Sequence, residues 1–219
     1  ENIDEDYLSM LESLPEKERM RFLMGEFVDG DDGLAYYAFD HDKHVHDVKW
    51  DGGPVWIGMD FNVDPMTCVI FQVVNNTIEV FDEMFMRNSD TFKMADMLKN
   101  KGYMGSIIPD STGKNRKTSG KSDHLILKEA GFKVENTRNP FVTDRVNNVN
   151  YMLTHNRIKI SPNCKKLIND LNKVSWKDNK LDQKSDPLLT HISDALGYGV
   201  YKLFGMHSRP SDGAYIKIG

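Results

Sequence analysis

The sequence predicts a mixed α/β fold: a central mixed sheet of five or more strands, flanked by helices on both faces. Three observations predict it. Apolar runs at 55–61, 67–74 and 77–86 follow one another closely enough to be joined by tight turns, as antiparallel neighbours are. From residue 90 onward, helix-length amphipathic stretches alternate with short strand-length runs, the pattern of a sheet with crossover helices. The last helical stretch carries a wide apolar stripe, from Leu188 and Leu189 through Ile192, Ala195 and Leu196 to Val200 and Leu203, so most of it is expected to face the core.

The elements follow in order. Residues 1–24 have helical spacing of apolar residues, with Pro15 as a break, and Gly25, Gly30 and Gly33 among Asp29, Asp31 and Asp32 make a turn-rich region. Residues 34–50 read as extended. The first strand of the sheet is 55–61, the second 67–74, and Asn75-Asn76 is a tight hairpin turn into the third, 77–86. A helix over 90–100, a strand at 105–109, a helix over 122–130 started by Ser122 and a strand at 133–135 come next. A helix over 143–153, a strand at 157–160, a helix over 163–173, a hairpin within 173–186 and the final helix over 187–204 complete the chain. Asp186 is expected to cap that final helix and Pro187 to occupy its first position. No internal repeat is present. The organisation predicted is a linker or subdomain segment at 1–50 that belongs partly to an upstream region, a main domain at 51–205 and a tail at 206–219.

Composition bounds the function. With 39% hydrophobic and 28% charged residues, 219 residues can bury one good core. No apolar run reaches the length of a membrane span. Cys68 and Cys164 lack metal-site spacing and read as buried thiols of a reducing compartment. The chain begins at Glu1 and reads as a fragment of something longer, or a processed product. The net charge of −5 is unevenly spread. Residues 1–50 hold 14 acidic and 5 basic residues, a balance of −9, and the rest balances at +4.

Chemistry is suggested by three aspartates. Asp60 and Asp110 each follow directly on a short apolar strand, Val55–Met59 and Ser106–Pro109. Rigid backbone therefore holds each carboxylate while leaving it free to face a cleft. Asp194 lies on the final helix with His191 and Tyr198, three and four residues away and on one face. Three carboxylates brought together repel one another and need a compensating cation. Mg²⁺ or Mn²⁺, one or two ions, supplies it, because hard cations prefer oxygen ligands. A pair of such ions can clamp the attacking and leaving oxygens of a phosphodiester. His191 is read as a metal ligand, a general acid or base, or a partner of Asp194. Asp64, Glu83 and Asp123 lie near these segments but read as ordinary surface charges.

The order of strands and acids resembles the RNase H-like nuclease fold, which places one acid on strand one, one on strand four and one on a late helix. More closely, the chain resembles the C-terminal nuclease domain of the large terminase subunit of tailed bacteriophages. Gly58-Met59-Asp60-Phe61-Asn62 is similar to the first acidic motif of that family, Pro109-Asp110-Ser111 to the second and His191–Tyr198 to the third. Arg145–Leu153 followed by Arg157-Ile158-Lys159-Ile160 resembles the segment before the last acidic helix, and Leu23–Phe27 the stretch leading out of the motor's ATPase domain. Asn62 stands where many relatives carry glycine. The resemblance implies a metal-dependent endonuclease that cuts double-stranded concatemeric DNA during genome packaging in the host cytoplasm. It implies as partners the upstream ATPase domain, the portal protein and the small terminase subunit, with no membrane. Asp60, Asp110 and Asp194 would hold the metals, which activate water and stabilise the phosphorane and the leaving 3′-oxygen. Two other readings stand beside it: another RNase H-like enzyme of resolvase or transposase type, and a non-catalytic module docking to portal or capsid through its acidic N-terminal segment.

Ser119-Gly120-Lys121-Ser122 imitates the end of a P-loop but lacks the required glycine, since position 115 is Asn. The charge of that stretch is more informative. Lys114, Arg116, Lys117 and Lys121 carry four positives without an intervening acid just past Asp110. They read either as phosphate contacts for DNA or as a solvated loop. The hairpin within 173–186 either touches DNA near the site or is a plain surface hairpin.

Overall fold

The structure is a computed structural model and describes residues 33–62, 64–115, 120–178 and 180–205. The expected helix over 1–24, the Gly/Asp turn region before Gly33 and the tail at 206–219 lie outside the described residues. A six-stranded mixed sheet forms the centre. Its strands are β1 (Trp56–Asp60), β2 (Met66–Val74), β3 (Thr77–Met86), β4 (Ser106–Pro109), β5 (Lys133–Val134) and β6 (Ile158–Ile160), in the order β5-β4-β1-β2-β3-β6. The meander β1-β2-β3 is antiparallel, while β4 pairs parallel to β1, β5 to β4 and β6 to β3. Asn75 and Asn76 both adopt positive φ, the backbone that a tight two-residue hairpin demands.

The pleat sorts the core into two halves. Ile57, Met59, Cys68, Ile70 and Ile107 face one way, under α2 (Thr91–Asn100) and α3 (Asp123–Glu129). Val69, Phe71, Ile78, Val80 and Ile108 face the other, under α4 (Val142–Thr154), α5 (Lys165–Lys173) and α6 (His191–Phe204). Helices therefore cover both faces. Gly58 and Asp60 alternate with Ile57 and Met59, and Asp110 alternates with Pro109 after Ile108. Both acids thus belong to the face covered by α6. Cys68 and Cys164 are buried free thiols.

Two expectations are corrected. Residues 34–50 are not simply extended. Leu34 bridges to Ser175, a turn follows, and Asp40 caps a short helix α1 (His41–His44) by accepting from the Asp42 amide. Apolar burial bends this stretch inward, since Ala35 and Tyr36 are buried in the core beside α4–α6. The final helix begins at His191, not at 187. Asp186 instead closes a local turn, accepting from the amides of Leu188 (2.9 Å) and Leu189 (3.1 Å). Thr190 then adopts φ +78°, a conformation that costs a β-branched residue and stops any helix running through it. The Gln183 amide holds its hydroxyl at 2.7 Å. The expected hairpin is present as β7 (Trp176–Lys177) and β8 (Lys180–Leu181). Among the described residues, no helix is long and apolar enough to cross a membrane.

Candidate active site

Strand pairing sets the first two acids side by side. In the parallel β1–β4 pair, Met59 lies opposite Pro109, and the Asp110 amide donates to the Met59 carbonyl at 2.9 Å. Asp60 and Asp110 therefore leave adjacent strands at the same, C-terminal end. Glycine brings the third acid. A Cβ at Gly58 would lie 2.1 Å from the Ala195 carbonyl oxygen, so α6 rests directly on the β1 backbone. That contact lies one residue after Asp194 and sets its helix turn against the end of β1.

Each acid has its own partners. His191 Nδ1 lies 3.1 Å from Asp60 Oδ2, and Asn62 Nδ2 lies 3.1 Å from the same ring nitrogen. The His191 carbonyl accepts the Thr67 hydroxyl at 2.9 Å, tying the first residue of α6 to β2. Asp110 Oδ1 accepts from the Thr112 amide (2.8 Å) and from Asn139 Nδ2 (2.6 Å), while Oδ2 accepts the Thr112 hydroxyl (2.8 Å). Asp194 Oδ1 accepts from the Arg145 guanidinium at 2.5 Å, and that guanidinium also lies over the Tyr198 ring.

Electrostatics reports the crowding. Burial, aided by the charge of Asp60 and opposed by Arg145 and His191, leaves the Asp194 carboxyl raised to about 6. Burial alone would lower His191, but the hydrogen bond to Asp60 and the charges of Asp60 and Asp194 outweigh it and raise its pKa. Behind α6, buried Asp170 accepts from the Ser193 amide and hydroxyl, and burial pushes its carboxyl up to about 7.

Asp170 gives a stability prediction. Its folded pKa exceeds its unfolded value, so the folded state holds the proton more tightly. Stability is then lost as pH rises from about 4 to about 7. Asp170→Asn keeps an acceptor for Ser193 without the buried charge. It should raise stability at pH 8 by roughly 2–4 kcal/mol, with a much smaller gain at pH 5. Thermal melts at the two pH values test this, and a gain independent of pH would show that ionisation of Asp170 is not the cause.

The structure thus joins Asp60 to His191, sets Asp110 beside Asp60 and brings Asp194 close enough to feel both Asp60 and His191. It does not present a ready-made cage. Among the described residues, no three His, Cys, Asp or Glu side chains are arranged to hold a metal ion. The donor set still fits a hard dication: carboxylate oxygens on one sheet face, at the ends of adjacent parallel strands, with Asp194 raised in part by Asp60. The basic stretch is less unified. Lys114 Nζ donates to Asn136 Oδ1 and the Thr137 carbonyl, and Lys121 Nζ pairs with Glu129 at 2.6 Å. Arg116 and Lys117 lie outside the described residues. Sequence reasoning does not single out Arg145 and Asn139 as contacts of the acids, or Asn62 as a contact of His191. Asn139-Pro140 carries only a turn signal and Arg145 only an ordinary place at the start of a helix, so neither pairing shows before the chain is folded.

Comparisons with known proteins agree with this fold. The family model of the terminase RNaseH-like domain matches residues 57–200. Comparison with curated proteins found no match. Among solved structures, the large terminase from thermophilic bacteriophage D6E, in complex with ADP, superposes with a TM-score of 0.69 at 21% identity. The match covers 91% of this chain and 51% of that one, so the chain spans about half the length of that relative. The P22 large terminase nuclease domain superposes with a TM-score of 0.62 at 13% identity, covering 76% of this chain and 90% of that one. The large terminase nuclease domain from bacteriophage SPP1, with bound Mn, gives a TM-score of 0.55 at 18% identity, covering 73% of this chain and 94% of that one. Those likenesses show the RNase H-like fold; the family match, over most of the chain and across all three acidic segments, shows that this chain belongs to the terminase RNaseH-like domain family.

Proposed function

We propose that the chain is the metal-dependent endonuclease unit of a DNA-packaging motor, cutting concatemeric double-stranded DNA. The observation that carries this reading is the meeting of Asp60, Asp110 and the Asp194 turn of α6 at one end of the sheet. The family membership and the Mn-bound SPP1 relative support it. Asp60, Asp110 and Asp194 would hold Mg²⁺ or Mn²⁺. When bound, the ions supply an activated water and charge compensation for the phosphorane and the leaving 3′-oxygen.

The chain's own residues do the rest. Asn139 and Thr112 fix the rotamer of Asp110, which keeps its donor oxygens in place between turnovers. His191, whose Nδ1 lies against Asp60, would hold that acid and move a proton at this nitrogen. Lys114, Arg116, Lys117 and Lys121, whose stretch begins just past Asp110, would contact backbone phosphates. The ATPase domain, portal protein and small terminase subunit are the partners of this reading, and the host cytoplasm is its place of action.

The direct test is incubation of the protein with supercoiled plasmid in Mn²⁺ or Mg²⁺, with EDTA in parallel. Metal-dependent linear product is expected. Intact plasmid across all metal concentrations, with DNA still bound, would replace the nuclease by a docking module. A strong preference for branched DNA would favour a resolvase instead.

A further inference from the structure

We propose that Arg145 is the resident counter-cation of the acidic centre, neutralising Asp194 until a divalent ion takes over that charge and so limiting how tightly the domain binds metal on its own. This rests on the reading of Asp60 and Asp194 as metal-holding residues.

Three features of the fold support it. The guanidinium is almost wholly enclosed, its side chain 4% exposed, and donates to Asp194 Oδ1. Its seat is built around it. A Cβ at Gly197 would fall 2.4 Å from Arg145 Cγ, so glycine alone lets the arginine stem cross α6. The Tyr198 ring then lies 4.6 Å from the guanidinium carbon and shields it from water. Most telling is what the seat lacks, because Arg145 Nε is buried with no hydrogen-bond partner. A buried ion pair with an unsatisfied donor ties α4 to α6 poorly, and an apolar pair of the same volume would hold the helices as well or better. What only arginine adds at this place is positive charge. The charge lies where it is needed, since Asp60 and Asp194 repel each other across the site.

Removing the charge should have opposite effects on the empty and the loaded domain. Without metal, Asp194 loses its counter-charge and the fold weakens. With metal, a cation that repels the incoming dication is gone and binding tightens. A purely structural arginine would instead weaken metal binding when lost, by letting Asp194 wander.

The experiment is Mn²⁺ titration by calorimetry at pH 8, without DNA, on the wild type, Arg145→Gln and Arg145→Lys, with thermal melts at each metal concentration. Expected for Arg145→Gln is a lower metal-free melting temperature and Mn²⁺ affinity at least about tenfold above the wild type. Arg145→Lys, which keeps the charge but not the fork, should bind Mn²⁺ as the wild type does. Should Arg145→Gln fail to fold without metal, Mn²⁺ must restore its cooperative melt, and no restoration overturns the proposal. Equal or weaker Mn²⁺ affinity in Arg145→Gln overturns it too, while leaving the metal-holding reading intact. No Mn²⁺ heat in any of the three proteins removes the metal-holding reading and the proposal with it.

Discussion

Asp60→Asn or Asp110→Asn is expected to lower plasmid cleavage by at least about 10³-fold, more than the ~10–100-fold that changes around a metal ligand usually cost. The two substitutions differ in what they do to the fold. At position 110, asparagine still offers Oδ1 to the Thr112 amide and to Asn139, and its Nδ2 can donate to the Thr112 hydroxyl. Stability should therefore change little, and lost cleavage there reports on chemistry. At position 60, the acceptor beside His191 becomes neutral, so His191 loses the charge that raises its pKa. Asp194→Asn should abolish cleavage as well, but it strands the Arg145 guanidinium without its counter-charge in a buried place. Breaking such a pair costs roughly 3–5 kcal/mol, so that variant must be read beside its melting curve. Near-normal cleavage in any of the three would remove that residue from the site.

Gly58→Ala should unfold the site from the other direction. The added Cβ meets the Ala195 carbonyl oxygen at 2.1 Å and the Val69 Cγ2 at 3.2 Å. The first is backbone of α6 and cannot swing aside, so the helix must lift off β1. Overpacking of this kind costs about 1–3 kcal/mol, and a backbone obstacle puts it at the upper end or beyond. A fall in melting temperature of roughly 6–12 °C follows for a chain of this size. Cleavage should fall further than stability explains, because lifting α6 carries Asp194 and His191 away from Asp60. Differential scanning calorimetry with a plasmid assay well below the transition separates the two effects. An unshifted melting curve would mean that α6 does not rest on Gly58 in solution.

Much of this architecture is legible along the chain. The apolar runs over 67–74 and 77–86, the Asn75-Asn76 turn and the helix-period stretches at 90–100 and 143–153 specify β2, β3, α2 and α4 almost residue for residue. They are legible because each is set by local patterning and turn chemistry. The start of α6 is not. Asp186-Pro187 is a good helix start in isolation, yet Thr190 breaks the helix there. That break depends on Gln183 and Thr67, which meet the segment only in the folded molecule. The turn and short helix within 34–45 are likewise not legible, because the burial of Ala35 and Tyr36 against α4–α6 is a tertiary fact.

The sequence by itself determined the strand ends at Asp60 and Asp110, the placing of His191 and Asp194 one helix turn apart, and the family motifs around them. Short-range spacing encodes all of these. Only the tertiary structure decided which partner each acid has: His191 for Asp60, Thr112 and Asn139 for Asp110, Arg145 for Asp194, with Asn62 on His191 in turn. Those pairings join residues up to 131 positions apart. They exist because parallel pairing of β1 with β4 and the seating of α6 on Gly58 bring the segments together, and no local pattern in the chain carries that information.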